Sequence, residues 1–402
     1  MHSAAYMPDD VNGGSSLSRR APGVLLALLA CLPIAGTLLV AQILPQMEAA
    51  FPQTPNVRLL VSLALTVPAL AIALSSWIAG WLADRVGRRR LLVGALVAYA
   101  ILGLTPLVLN DLGHIILARA GMGVAEGFIM TCSTALIGDL YTGRVREGLL
   151  SLQTAIASIA AVIFAVVGGL LGETGWRTPF AVYGIALIFL PLVILMVPAG
   201  QAAARQAQTA IAKTRFPVTA LSLICLSTLL FSFGFYVAQI QLPYLVNGVG
   251  VTSPGAVGAT SAIANTAVVL GTLTFVGLRR LPLAVVGALC FVCLAAGLGL
   301  AAAARSYPLL CVGLALASFG GGIGLPTFLN AAMARLELAQ RGVGTGLWQS
   351  SFWTGQFLSP VLMVPLTVAA GGLTSAVMLV AIACVALTVL LPLALRMGVR
   401  AA

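Results

Sequence analysis

Residues 80–90 read Gly80-Trp81-Leu82-Ala83-Asp84-Arg85-Val86-Gly87-Arg88-Arg89-Arg90. An apolar run from about 59 to 83 gives way here to one Asp and four Arg before the next run opens at Leu91. In a chain with only 8% charged residues, such a knot of charge does not belong in lipid. It reads as a tight cytoplasmic turn between two membrane helices, held on that side by its arginines.

Composition agrees with that reading. The chain has 402 residues, 60% of them hydrophobic, and a mean hydropathy of +1.08. A soluble domain is roughly half apolar and about a quarter charged, so the polar residues here are too few to cover a water-facing surface. The net charge of +11 is spread singly or in short clusters between apolar runs, which signals orientation in a membrane rather than a nucleic-acid face. All seven cysteines fall inside apolar runs. Cys290-x-x-Cys293 has metal or redox spacing, but no His or second Cys pair lies near it, and His2 and His114 form no cluster. The cysteines read as small packing residues, and no metal site or cofactor is expected. No nucleophile–His–carboxylate set suggests an enzyme.

A helix needs about 20 apolar residues to span a bilayer, and twelve runs qualify. They lie near 22–45, 59–83, 91–109, 113–140, 148–171, 177–198, 216–240, 255–278, 282–303, 307–334, 343–368 and 372–396. The first is longer than the core of a signal peptide, so it reads as a membrane helix rather than a cleaved leader. The expected organisation is a cytoplasmic tail (1–21), a six-helix bundle (22–198), a polar linker (199–215), a second six-helix bundle (216–396) and a short tail (397–402). This is the layout of two bundles joined by a linker. With the N-terminus inside, seventeen Lys and Arg fall in cytoplasmic segments and only Arg58, Arg177 and Arg305 outside. That bias places both termini in the cytoplasm.

One basic residue is left over. Arg119 lies inside the fourth run, and Glu126 follows seven residues later, near its middle. Charges within a membrane helix are costly and usually face a cavity or a partner. Two helical turns put the pair on one face, with a rise of about 10 Å, too far for a direct salt bridge without bending. Loss of water favours a neutral acid and a nearby arginine favours a carboxylate; a group held between those pulls can load and release a proton. The structural alternative is a pair that ties the fourth helix to a neighbour's polar group.

The pattern Gly-x-Leu-x-Asp-Arg-x-Gly-Arg-Arg at Gly80–Arg89 resembles the signature between helices 2 and 3 of the major facilitator superfamily. Leu117-Ala118-Arg119-Ala120-Gly121-Met122-Gly123 is similar to the helix-4 motif of its proton-coupled members, where the arginine is implicated in proton transfer. The resemblance implies an all-α membrane fold of twelve helices in two six-helix bundles, with Gly80, Asp84, Arg85, Gly87, Arg88 and Asp139 forming a conformational latch. Asp84 would meet the N-terminus of helix 11, where the helix dipole suits a carboxylate, and Arg88 would pair with Asp139. Arg89 and Arg90 are expected only to anchor topology. Antiporters of the family carry Gly-Pro-x-x-Gly-Gly in helix 5; here the stretch is Phe164-Ala165-Val166-Val167-Gly168-Gly169, which keeps the glycine pair and departs from the rest. Gly175-Trp176-Arg177-Thr178-Pro179-Phe180 is again similar to efflux members.

Substrate contacts are expected from Phe231, Phe235, Tyr236 and Gln239 in the seventh run, Asn265 in the eighth and Asn330 in the tenth. Gln349, Trp353 and Gln356, with Trp348, come from the eleventh. For the aromatics the alternative is packing, and for the amides it is helix–helix hydrogen bonding. Such residues suit a moderately apolar, neutral or cationic organic molecule. Gly320-Gly321-Gly322-Ile323-Gly324 lacks the ending of a phosphate loop and is expected to serve close packing or a bend. The expectation is a monomeric inner-membrane exporter of a small organic molecule, driven by the proton gradient, with Glu126 as proton carrier tuned by Arg119. The alternatives are an uptake symporter or uniporter of the same fold, and an exporter specific for a siderophore or other metabolite. A receptor that senses without transporting would need an attached soluble domain or long tail.

Overall fold

The computed structural model describes residues 16–198, 218–336 and 341–400. Among these every regular element is a helix, without a strand. Its helices are α1 (Ser16–Leu28), α2 (Cys31–Ala41), α3 (Leu44–Ala50), α4 (Val57–Val86), α5 (Arg88–Leu104), α6 (Leu112–Leu140), α7 (Gly143–Gly172), α8 (Ala186–Met196), α9 (Val218–Gly248), α10 (Pro254–Leu278), α11 (Leu283–Ala303), α12 (Tyr307–Met333), α13 (Arg341–Ala369) and α14 (Leu373–Arg400). Two 3-10 segments, Thr105–Leu107 and Thr178–Ile185, lie before α6 and α8. Twelve spans are long and apolar enough to cross a membrane, the first made of α1 and α2 together and the sixth of Thr178–Met196.

The ends of these helices follow local chemistry. Gly87 has φ +97°, a conformation that glycine adopts without penalty, and its N–H closes the last turn of α4 on Ala83 O at 3.0 Å. Its own carbonyl then accepts from Leu91 N, so α5 starts at once. Asp111 caps α6 by accepting from His114 N at 2.9 Å, and Ser253 caps α10 by accepting from Ala256 N at 3.3 Å.

One expectation needs correction. The first apolar run is not one helix. Pro33 has no N–H to bond Leu29 O, and that carbonyl accepts from Leu32 N at 3.2 Å instead, which breaks the span at Leu29–Ala30. Within the expected 1–21 tail, α1 already begins at Ser16, ahead of the first membrane span at Arg20. At the other end α14 runs on to Arg400, past the last membrane span at Leu390 and into the expected 397–402 tail. Apolar runs mark only the part of a helix in lipid, and hydrogen bonding carries the helix on into the polar margin. The linker at 199–215 lies outside the described residues.

One apolar core gathers residues from Leu25 to Val197 together with Ile240 of α9, and a second gathers residues from Leu221 to Cys384. The halves meet where α4 packs on α13 and α7 on α10. The α7–α10 seam is backbone on backbone: a β-carbon on Gly169 would lie 2.9 Å from Gly258 Cα. Gln42, just past the end of α2, joins the same seam, donating to Ser261 Oγ at 3.2 Å.

Candidate functional site

At the Gly87 turn, Arg88 forms an ion pair with Asp139 at the end of α6 and also donates toward Ala135 O. The Arg85 guanidinium lies 3.9 Å above the Trp81 ring. The space where a β-carbon on Gly80 would sit is open. The side chain of Asp84 lies outside the described residues, so its expected contact with α13 does too. Arg89 does more than anchor: its Nη2 donates to Ile194 O at 2.5 Å, satisfying a carbonyl in the last turn of α8.

The buried charges lie deeper, on α6. Arg119 is 0% exposed and Glu126 1%. Arg119 reaches three elements. Its Nε donates to Ala64 O on α4 at 2.9 Å, its Nη2 to Gly36 O on α2 at 2.5 Å, and its Nη1 to the Tyr183 hydroxyl at 3.1 Å. The Met122 sulfur is a further, weak acceptor for Nη1 at 3.3 Å. A guanidinium this deep is tolerated because neutral oxygens surround it.

Glu126 is arranged differently. Its Oε1 is buried and has no hydrogen-bond partner, and it rests where a β-carbon on Gly36 would be. Gly36 therefore separates the two charges, with its carbonyl on the guanidinium and its Cα against the carboxylate. The ion pairs among the described residues are Arg88–Asp139 and His114–Asp111, and neither joins Arg119 to Glu126. An acidic group is thus held in a dry interior beside a cation that is occupied elsewhere.

The expected substrate contacts divide into groups. Phe231 and Phe235 are buried, and their rings fill notches over Gly324 and Gly321 of α12. Both rings pack against α12 here, which accounts for Gly321 and Gly324 within the glycine cluster. Its remaining members, Gly320 and Gly322, admit Cys293 and the Val268 backbone. Cys290 and Cys293 are buried free thiols. Gln239 donates to Ser318 Oγ at 3.3 Å, and Asn265 donates to Ser261 O of its own helix at 2.8 Å. Asn330 is exposed near the end of α12, away from a buried site.

The residues on α13 stay together. Trp348 and Phe352 stack at 5.8 Å, Phe352 meets Trp353 at 5.6 Å, and Tyr236 of α9 meets Phe352 at 5.6 Å. Trp348 Nε1 and Gln356 Oε1 are buried without hydrogen-bond partners, and Gln349 is half-buried one residue beyond Trp348. This face offers rings and unspent polar atoms. Sequence reasoning missed Gly36, Tyr99 and Tyr183. Tyr99 donates to Leu32 O at 2.8 Å beside the break in the first span and packs edge-on to Tyr183 at 5.8 Å.

The model of the Major Facilitator Superfamily matches residues 24–296. Among relatives, the chain is 30% identical over 134 residues to the 3-(3-hydroxy-phenyl)propionate transporter of Escherichia coli, a match covering 33% of each chain. It is 32% identical over 118 residues to the multidrug transporter protein MdtP of Bacillus subtilis, covering 28% of this chain and 22% of that one. It is 29% identical over 157 residues to the bacillibactin exporter of the same species, covering 36% and 37%. The chain thus spans a third or so, or less, of the length of these relatives. Among solved structures, an inward-facing, occupied bacterial homolog of the human lysosomal transporter Spinster superposes with a TM-score of 0.74 at 16% identity, covering 96% of this chain and 98% of that one. A mutant form of the peptide transporter POT superposes at 0.78 with 12% identity, covering 97% of each.

Proposed function

The chain belongs to the Major Facilitator Superfamily, and from that premise we propose that this transporter exports a small organic molecule in exchange for protons. The observation that carries the reading is Glu126, a buried carboxyl group with one oxygen unpartnered and an arginine close by but engaged with neutral oxygens. Such a group is held between the pull of a dry interior and the pull of a cation. Proton and substrate would compete for the interior, so that each releases the other while the two halves rock about it. The rings and unpartnered polar atoms of Trp348, Phe352, Trp353 and Gln356 suit a moderately apolar, neutral or cationic substrate. The bias of basic residues toward the Gly87 end supports both termini in the cytoplasm, and the proposal takes the chain as a monomer in a bacterial inner membrane.

Export is supported by the likeness to the bacillibactin exporter. A second reading, uptake through the same site, draws on Phe164-Ala165 standing where antiporters have Gly-Pro, and on the match to a transporter of an aromatic acid. Inside-out membrane vesicles with an imposed proton gradient separate the two. With a panel of labelled organic compounds, gradient-driven accumulation by the native chain that is lost in Glu126→Gln supports export by antiport. Transport that ignores the gradient and survives Glu126→Gln overturns it and leaves a uniporter. Accumulation only in right-side-out vesicles points to symport.

A further inference from the structure

The Tyr183 hydroxyl closes a triangle of hydrogen bonds. It accepts from Arg119 Nη1 at 3.1 Å and donates to Gly36 O at 3.1 Å, while Arg119 Nη2 donates to the same carbonyl at 2.5 Å. Tyr183 is itself fixed. It is fully buried, its ring meets Tyr99 and Phe180 edge-on, and its Cβ packs where Gly103 of α5 has no side chain. Of the acceptors that hold Nη1, this hydroxyl is the oxygen; the other is the Met122 thioether. Across Gly36 waits the Glu126 Oε1 with no partner at all.

We propose that Tyr183 is a positioning residue for proton exchange: it pins Arg119 to the α2 carbonyl and keeps the guanidinium from pairing with Glu126. The proposal rests on the reading of Glu126 as the proton carrier. Without the hydroxyl, Nη1 keeps only a weak sulfur acceptor, and a buried charged donor short of an acceptor is costly. An unspent oxygen, Glu126 Oε1, lies across Gly36. An ion pair there would favour the charged form of the carboxyl group, which would then load a proton less readily. The tyrosine thus acts through Arg119 and never touches the proton.

The test needs no substrate. Infrared spectra of the purified full-length protein in lipid nanodiscs are recorded across a pH series, and the carboxyl band of Glu126 is identified by its loss in Glu126→Gln. In Tyr183→Phe, which keeps the ring and its packing, half-titration of that band is expected at lower pH by about one unit, a tenfold loss of proton affinity. Adding Met122→Gln, which offers Nη1 an amide oxygen in place of the sulfur, is expected to restore the native midpoint; this double variant carries the test if Tyr183→Phe alone misfolds. An unchanged midpoint in Tyr183→Phe, or a double variant that titrates away from the native protein, overturns the role of Tyr183. If Glu126→Gln removes no titrating band, the proton-carrier reading itself fails, whatever Tyr183 does.

Discussion

Glu173 Oε1 accepts a hydrogen bond from Gly255 N at 2.8 Å, which ties the end of α7 in one half of the molecule to the start of α10 in the other. The Ser253 hydroxyl donates to the same oxygen at 2.5 Å. A carboxylate at a helix N-terminus satisfies N–H groups that the helix itself leaves free. The Ser253 hydroxyl bond, followed by that of the Gly255 N–H, holds the Glu173 carboxyl below the usual carboxylate range. A group lowered in this way contributes its full share above the ordinary carboxylate range, and that share is lost as pH falls through its own lowered value. Glu173→Ala should speed amide exchange of the first turn of α10 several-fold at neutral pH. At acid pH, after correction for intrinsic rates, native protein and variant should converge. Equal protection at neutral pH would show that the clasp holds nothing.

Gly36 makes a second prediction. A β-carbon there would fall on Glu126 Oε1, well inside contact distance, on a helix whose carbonyl Arg119 and Tyr183 already hold in place. Gly36→Ala should therefore lower stability by about 1–3 kcal/mol through overpacking. Gly80→Ala is the control. Its β-carbon meets nothing within 4 Å, and loss of a helical glycine is worth ~0.5–1 kcal/mol in its favour. Unfolding in mixed micelles should rank the two on opposite sides of the native protein.

The same contrast shows what was legible in the sequence. The charge knot at 84–90 announces a turn, and the basic residues and twelve runs announce the fold, because lipid sorts charge from apolar side chains. Arg119 and Glu126 stand out for the same reason. Their surroundings do not, since Arg119 is held largely by the carbonyls of Gly36 and Ala64, and every residue has a carbonyl. Nothing in the sequence separates Gly36 from the other 42 of the 43 glycines. Phe231 and Phe235 were readable in part. Their i, i+4 spacing matches Gly321 and Gly324 at i, i+3, a ring-and-notch pattern between two helices that competes with any reading of the rings as substrate contacts.

That packing can be tested at Gly321 and Gly322. A β-carbon on Gly321 would strike the Phe235 ring, and one on Gly322 would strike the Val268 carbonyl. A ring can turn into another rotamer, but the backbone of a packed helix gives way only by moving the helix. Gly321→Ala should cost about 1–3 kcal/mol, and Gly322→Ala should cost more. Thermal unfolding of the two variants in detergent settles the order. The reverse order would mean that α10 yields more easily than the Phe235 ring.

The Arg88–Asp139 pair joins the start of α5 to the end of α6, with side chains 25% and 18% exposed. Partial exposure lets water compete for both charges, so their coupling should be small. In a double-mutant cycle of Arg88→Ala and Asp139→Ala, the interaction term in unfolding free energy is expected at about 0.2–1 kcal/mol. It should shrink further at 1 M salt, where the screening length is about 3 Å. Breaking a fully buried pair would instead cost about 3–5 kcal/mol and resist salt. A coupling of that size would mean that the lipid-facing rim around Gly87 excludes water far better than the exposure of the two side chains implies, and the turn would then have to be redrawn as part of the membrane interior.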